Sequence, residues 1–225
     1  KLHRIDATTL AVTTLDFGNE ATVPCTAISP DGRWTAAATY ASAVYVWDNQ
    51  DAGAAPVQLA HGSLVSDVRF SPDSATLATA CNDGILRIWR VLGGTLERAS
   101  PPAGDRIPHL AFDATGRQLA AALRNGALLV WNLDSDACET WSPPTQKPLR
   151  TVGFSPDGRW LLAAGADRVI SIWDTTARQR VATLVGHTQE IFCLDISLDG
   201  ETIASGDTSG AIRLWHLPLR RPLAA

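Results

Sequence analysis

Tryptophan recurs in this chain at a fixed interval of 42 residues. The series comprises Trp47, Trp89, Trp131, Trp173 and Trp215. Turn-forming segments of the Ser-Pro-Asp-Gly type keep the same interval, at 29–32, 71–74, 113–116, 155–158 and 197–200. Neither series needs an insertion or a deletion. Such an interval is typical of proteins built from stacked structural repeats, so the sequence predicts five copies of one supersecondary unit.

One repeat is predicted to contain four short β-strands. In the second repeat, Val65–Phe70 alternates between apolar and polar residues and runs into a Ser-Pro-Asp-Ser turn. A strand of small residues at 77–81 leads into the tight turn Asn-Asp-Gly, and a third alternating strand follows at 85–89. A looser fourth strand precedes the next repeat. Antiparallel four-stranded units of this kind are β-propeller blades, whose faces are buried only by neighbouring blades.

The chain resembles the WD-repeat family over nearly its whole length. The repeat ends in Trp-Asp at 47–48 and 173–174, and in Trp-Arg, Trp-Asn or Trp-His in the other three copies. The resemblance implies an all-β fold, a β-propeller of WD-type four-stranded blades. We expect the propeller region to span residues 1–217 and a short C-terminal tail to occupy 218–225.

The resemblance also implies one hydrogen-bonded chain of side chains in each blade. Its members are a His before the first strand, a Ser or Thr in the second strand, an Asp in the following turn, and the Trp. The second repeat has a full set, which is His61, Thr79, Asp83 and Trp89. The fifth repeat has His187, Ser205 and Trp215, with Ser209 where the Asp is expected. Asp83→Ala should therefore destabilise the fold more than Asp167→Ala, because only Asp83 completes a chain.

The number of blades is a separate question, because the family commonly has about seven. Ile5-Asp6 precedes Trp47-Asp48 by one period, so residues 1–5 match the third strand of a further repeat. This surplus strand favours excision from a longer array, and so do a start at Lys1 and the absence of methionine. A self-contained five-bladed ring and an open arc completed by a second copy of the chain are the alternatives.

Composition argues against several classes of partner. The net charge of -4 and the pI near 5.7 make non-specific nucleic-acid binding a poor fit. No apolar stretch approaches the roughly 18 residues of a membrane-spanning helix. The N-terminus lacks the apolar run of a secretion signal. The four cysteines show no zinc-ligand spacing. A reduced, cytoplasmic protein is the favoured interpretation.

Sequence motifs for catalysis are absent. The chain contains no phosphate-binding Gly-x-x-x-x-Gly-Lys loop, no Gly-x-Ser-x-Gly elbow and no His-Glu-x-x-His motif. The scattered histidines and the turn aspartates are expected to be structural. We therefore predict a chain that is not an enzyme and has no cofactor and no metal. Trp141 stands outside the tryptophan series and is expected to pack over a blade edge rather than to anchor a partner.

In the resembling family, partners bind the face that carries the start of the first strand and the turn after the second strand. Three positions per blade point to this face. In this chain they are Thr22, Pro24, Tyr40, Leu64, Ser66, Asn82, Arg106, Pro108, Arg124, Pro148, Arg150, Ala166, Glu190, Phe192 and Thr208.

Two patches follow from these positions. Arg106, Arg124 and Arg150, with Lys147 beside them, predict a basic patch across blades three and four. Tyr40 and Leu64 predict an apolar patch, which Phe192 would join only if blades five and one meet. The sequence thus predicts a non-catalytic protein-interaction scaffold whose partner is an acidic or phosphorylated peptide. A regulatory or sensor region of a larger bacterial signalling protein, and a hydrolase using the central channel, are the alternatives.

Overall fold

The computed structural model describes residues 2–5, 12–15, 22–51, 53–142 and 146–217. Within these residues the chain forms 21 β-strands and no helix. The strands make one two-stranded sheet, four four-stranded sheets and one three-stranded sheet, and every pairing is antiparallel between strands adjacent in the chain. The prediction of an all-β fold of WD-type blades is confirmed.

The strands follow the 42-residue repeat. The first sheet has β1 (Leu2–Ile5) and β2 (Val12–Leu15). Blade one has β3 (Cys25–Ile28), β4 (Trp34–Thr39), β5 (Ala43–Asp48) and β6 (Val57–Ala60). Blade two has β7 (Val65–Phe70), β8 (Thr76–Cys81), β9 (Leu86–Arg90) and β10 (Thr95–Ala99). Blade three has β11 (His109–Phe112), β12 (Gln118–Ala122), β13 (Leu128–Asn132) and β14 (Ala137–Trp141).

Blade four has β15 (Leu149–Phe154), β16 (Trp160–Gly165), β17 (Val169–Asp174) and β18 (Gln179–Val185). Blade five has β19 (Ile191–Ile196), β20 (Thr202–Asp207) and β21 (Ile212–His216). In its described residues blade five has no fourth strand, and the predicted tail at 218–225 lies outside them. β1 stands where the sequence predicts the third strand of a further repeat, and β2 pairs with it.

The turn between the first two strands is held by a hydroxyl and a carboxylate two residues apart. In blade one the Ser29 hydroxyl donates to Oδ1 of Asp31 at 2.5 Å and accepts the Trp34 amide at 2.8 Å. Blade three exchanges the two roles, because the Thr115 hydroxyl donates to the carboxylate of Asp113 at 2.5 Å. The same turn therefore forms although blade three lacks the Ser-Pro-Asp-Gly sequence.

The chain divides into two compact units, Lys1–Ala99 and Ser100–Ala225, each with its own core. In the first unit, Val44 and Val46 of blade one pack with Val68 and Phe70 of blade two. This core excludes water from both sheet faces and supplies most of the stabilisation that a blade lacks alone.

The second unit has two such cores, one between blades three and four and one between blades four and five. Trp141 belongs to the first of these, is 7% exposed, and lies 5.9 Å from the ring centroid of Trp173. The prediction that Trp141 packs rather than projects into solvent is confirmed.

Candidate partner-binding face and the hydrogen-bonded chains beneath it

One backbone hydrogen bond recurs in every blade and brings the predicted contact positions together. It joins the residue ahead of the first strand to the residue that opens the turn after the second strand. In blade three the Arg124 amide donates to the Arg106 carbonyl at 3.1 Å. The equivalent bonds run from Tyr40 to Thr22, from Asn82 to Leu64, from Ala166 to Pro148 and from Thr208 to Glu190. Each blade thus presents two of its three predicted positions side by side.

The turn after the second strand in blade three is pressed against the start of blade four. Gly126 closes this turn with a φ of 91°, a conformation that favours glycine. A Cβ atom there would lie 2.7 Å from the carbonyl carbon of Gln146 and 2.8 Å from the carbonyl oxygen of Lys147. This close approach places the backbone of Lys147 against the turn that carries Arg124.

Arg106, Arg124 and Lys147 therefore form one group, which we name the basic cluster. Arg106 and Lys147 are exposed and Arg124 is half-buried. In the part of the chain that the structure describes, none of the three side chains forms an ion pair. Asp105 is the nearest acid in sequence, and its carboxylate accepts the Arg106 amide at 2.7 Å. The cluster keeps a net positive charge on the predicted face.

Arg150 does not join the basic cluster as a free cation. Its Nε atom lies 2.5 Å from Oε1 of Glu190, and its guanidinium carbon lies 5.2 Å from the centroid of the Phe192 ring. The Arg150 and Glu190 side chains are only 24% and 26% exposed. The expectation that Arg150 offers an uncompensated charge is corrected, because three predicted contact residues bind one another.

A cleft of about 450 Å³ opens beside Lys147. Its lining is Lys147, Ala166, Asp167, Arg168, Val169, Val185 and His187. Val185 is 74% exposed, and Arg168 is held over the cleft by a hydrogen bond from Nη1 to the Thr188 carbonyl at 3.2 Å. The cleft thus combines basic side chains with an apolar wall.

The predicted apolar patch lies in the first unit. Tyr40 is 56% exposed and Leu64 is half-buried. Phe192 belongs to the second unit, where its ring packs under the guanidinium of Arg150. A role for Tyr40 and Leu64 in binding stays a prediction.

Beneath this face, blade five contains a complete hydrogen-bonded chain. The Trp215 indole N–H donates to Ser205 Oγ at 2.8 Å, and Ser205 Oγ lies 2.7 Å from His187 Nε2. His187 Nδ1 lies 2.7 Å from Oδ2 of Asp207, which also accepts the Ser209 hydroxyl. Because an indole N–H can only donate, the Ser205 hydroxyl donates to Nε2, and Nδ1–H donates to the carboxylate.

The acid that ends this chain is Asp207, and the sequence-based expectation placed it at Ser209. Asp207 is the last residue of β20, two positions earlier, and aligns by period with Cys81. The hydroxyl of Ser209 and the ring of His187 hold the pKa of Asp207 well below its usual range. A family pattern applied at fixed positions missed this carboxylate, although a search for any acid near the turn would have found it.

Blade two has three of the four predicted members. The Trp89 indole N–H donates to Thr79 Oγ1 at 3.1 Å, and Thr79 Oγ1 lies 2.9 Å from His61 Nε2. His61 Nδ1 lies 3.0 Å from the Leu59 carbonyl. A carbonyl oxygen can only accept, so the proton of a neutral His61 sits on Nδ1 and the chain ends on the backbone.

Asp83 lies outside the chain of blade two, and the prediction that it completes that chain is wrong. Both ring nitrogens of His61 are bound elsewhere, and Asp83 instead pairs with the Arg87 guanidinium at 2.8 Å. Burial acts to raise the pKa of Asp83, but hydrogen bonds from Arg87 and the Ile85 amide hold it below its usual range. A nearby arginine thus competes successfully for the carboxylate.

Blades three and four lack the hydroxyl, because alanine occupies the position of Thr79 and Ser205. In blade three the Trp131 indole N–H finds Oδ1 of Asp136 at 3.0 Å instead. In blade four the buried Trp173 indole N–H has no partner among the described residues. An unmet buried donor costs about 1–3 kcal/mol, so Trp173 is a weak point of its blade.

The chemistry of other site types can be checked residue by residue. The buried carboxylates of the described residues, Asp67, Asp113 and Asp207, each bind a neighbouring structural group. In the same residues no three His, Cys, Asp or Glu side chains gather as metal ligands. Burial raises the pKa of the Cys81 thiol to about 12, which suppresses its nucleophilic form. Among the described residues, no helix has the length and apolar character needed to cross a membrane.

Comparison with known proteins places these repeats. The family model described as WD domain, G-beta repeat, matches residues 8–48, 55–90, 139–174 and 178–216. Strands β11 to β13 fall between the matches, although they form a regular blade.

Two curated relatives share shorter segments. A transcriptional corepressor of Arabidopsis thaliana, LEUNIG_HOMOLOG, is 33% identical over 67 residues, which is 30% of this chain and 8% of that protein. The Protein LST8 homolog of Drosophila melanogaster is 36% identical over 78 residues, which is 32% of this chain and 25% of that protein. The chain thus spans a quarter or less of the length of these relatives. The family matches cover more than half of the chain, so this chain belongs to the WD-repeat family.

Proposed function

We propose that this chain is a non-catalytic protein-interaction module that binds acidic or phosphorylated peptide segments at the basic cluster. WD-repeat proteins are generally non-catalytic scaffolds, which supports the binding role. The observation that carries the proposal is the basic cluster itself. Arg106, Arg124 and Lys147 are gathered by one backbone hydrogen bond and one close contact, and no ion pair in the described residues neutralises them.

The chemistry of the cluster suits anionic oxygen atoms. Guanidinium groups bind a carboxylate or a phosphate through two parallel hydrogen bonds, whereas a lysine acts as a mobile point charge. Arg106 and Lys147 reach solvent freely, and Arg124 is partly held by its turn. One phosphate or two neighbouring carboxylates would therefore satisfy all three side chains.

The cleft beside Lys147 adds a requirement on the peptide. Val169 and Val185 form its apolar wall, and Val185 is largely exposed. An apolar side chain placed next to the acidic group would bury this wall, which adds affinity at about 25 cal/mol per Å² of apolar surface. We therefore propose a partner segment in which an acidic or phosphorylated residue adjoins a hydrophobic residue.

A peptide array tests the proposal. Each peptide is presented in a phosphorylated, a Glu-containing and a Gln-containing version, and the purified chain is compared with Arg124→Glu/Lys147→Glu. The matched control is Arg117→Glu, because Arg117 is 71% exposed and sits at the other end of β12. Retention of acidic peptides by the chain and the control, and their loss from the double variant, is the expected result. Equal retention of the Gln-containing peptides would overturn the proposal.

A cytoplasmic location is proposed with this function. The cysteines of the described residues are all free thiols, which fits a reducing compartment. An oxidising compartment would expose Cys193, which lies on the surface, to unwanted pairing. Localisation of a tagged chain checks this directly.

A further inference from the structure

One face of each blade, which we name the rear face, is covered by the blade that follows. In blade one, Val44 and Val46 on the rear face are 0% and 2% exposed under blade two. In blade four, Ile170 is 0% exposed under blade five. The equivalent residues of blade five, Ile212 and Leu214, are 78% and 73% exposed. Blade five therefore carries a blade-packing surface that its own unit leaves uncovered.

The opposite face, which we name the front face, packs on the preceding blade. On the front face of blade two, Val68 and Phe70 are 0% and 8% exposed. The equivalent residues of blade one are Thr26, which is exposed, and Ile28, which is 64% exposed. Blade one therefore carries the complementary kind of surface, also uncovered in its own unit.

The polar residues of the two uncovered faces match. At the junction of blades four and five, a Cβ atom on Gly153 would lie 3.2 Å from Cδ1 of Leu194, so these positions touch across blades. The position of Gly153 is occupied in blade five by Asp195, and the position of Leu194 is occupied in blade one by Thr26. Packing the rear face of blade five on the front face of blade one would set a carboxylate against a hydroxyl.

We propose that the rear face of blade five binds the front face of blade one in a second copy of this chain. The front faces of other blades carry Val68, Val152 or Leu194 at the position in question, and these would leave Asp195 desolvated without a donor. Thr26 supplies that donor, while Ile28, Ile212 and Leu214 supply the apolar contact. The contact is head to tail, so it builds a closed ring or an open filament rather than a two-fold dimer.

Light scattering coupled to size exclusion measures the assembly. The purified chain should exceed its monomer mass of 24.0 kDa, increasingly at higher concentration. Ile212→Asp blocks the rear face and Ile28→Asp blocks the front face, so each variant alone should be a monomer. Because each keeps one intact face, an equimolar mixture should form a dimer of twice 24.0 kDa and nothing larger. The control Leu198→Asp, at a residue 96% exposed, should assemble like the unaltered chain.

A charge exchange tests the polar pair. Asp195→Lys alone and Thr26→Asp alone should each weaken assembly, and the double variant should restore it. Two results would overturn the proposal: an unaltered chain that is monomeric at every concentration, or blocked variants that fail to pair when mixed. Binding of acidic peptides, which uses a different surface, is measured separately and should be unchanged in the blocked variants.

Discussion

His187 Nδ1 lies 2.7 Å from Oδ2 of Asp207, and both side chains are almost completely buried. The equivalent places in blade two are held by His61 and Cys81, and there the imidazole turns to a backbone carbonyl. Two blades with the same His, hydroxyl and Trp therefore end their hydrogen-bonded chains differently. Only blade five ends its chain on a charged group, and this difference has measurable consequences.

Replacing Asp207 should destabilise the chain more than replacing Asp83. Asp207→Ala leaves His187 and Ser209 without their acceptor inside the blade, whereas Asp83→Ala removes only a surface-type pair with Arg87, worth roughly 0.2–1 kcal/mol. Thermal unfolding followed by circular dichroism measures both. Equal melting temperatures for the two variants would contradict this ranking. The expectation that Asp83 outranks Asp167 because it completes a chain loses its basis.

A hydroxyl in blade four should stabilise the protein. Ala163→Ser would offer the buried Trp173 indole N–H an acceptor at the position that Thr79 and Ser205 occupy in their blades. One net hydrogen bond adds about 1 kcal/mol, or about 2–4 °C in Tm for a chain of this size. Ala121→Ser is the matched control, because Trp131 already donates to Asp136. A gain in the control equal to that in Ala163→Ser would show that the orphaned indole is not the cause.

Stability should depend on pH through His61. Burial lowers the pKa of His61 from its usual 6.5, and this outweighs the opposing bond to the Leu59 carbonyl. The unfolded chain therefore binds the proton more readily, so the contribution of His61 is complete above pH 6.5 and is lost as pH falls through the lowered pKa. Denaturant titrations from about pH 8 to about pH 5 should show the advantage over His61→Gln shrinking. An advantage that stays constant with pH would refute this.

Freeing Arg150 should strengthen binding of acidic peptides. Glu190→Gln removes the charge that now holds the Arg150 guanidinium, so the positive potential beside the basic cluster rises. The expected gain is roughly two- to fivefold in Kd, equivalent to about 0.5–1 kcal/mol. Glu201→Gln, at an exposed acid in the same blade, controls for net charge. If both variants gain equally, the effect is long-range and Arg150 has no special part in it.

The sequence was sufficient for the repeat but not for the pairing of its side chains. The tryptophan interval and the turn segments predicted every described blade, including blade three, whose β11 to β13 escape the family model. This succeeds because strand alternation and turn chemistry are local and repeat without gaps.

The chemistry of the face depended on distances that no local pattern contains. Arg150 and Glu190 are 40 residues apart, and only the packing of blade five on blade four brings them together. Asp83 was assigned by position alone, while the structure gives its carboxylate to Arg87 and gives the acidic role to Asp207. Competition between nearby partners decides such assignments, and it is visible only in three dimensions.

Fluorescence anisotropy of a labelled phosphopeptide, measured at low and at high salt, tests the basic cluster most directly. The cluster is exposed, so screening should weaken binding steeply as salt rises. Arg106→Gln/Arg124→Gln/Lys147→Gln should bind weakly at low salt and respond little to added salt, while Arg117→Gln should match the unaltered chain. Tight binding by the triple variant, or affinity independent of salt in the unaltered chain, would contradict an electrostatic recognition site at Arg106, Arg124 and Lys147.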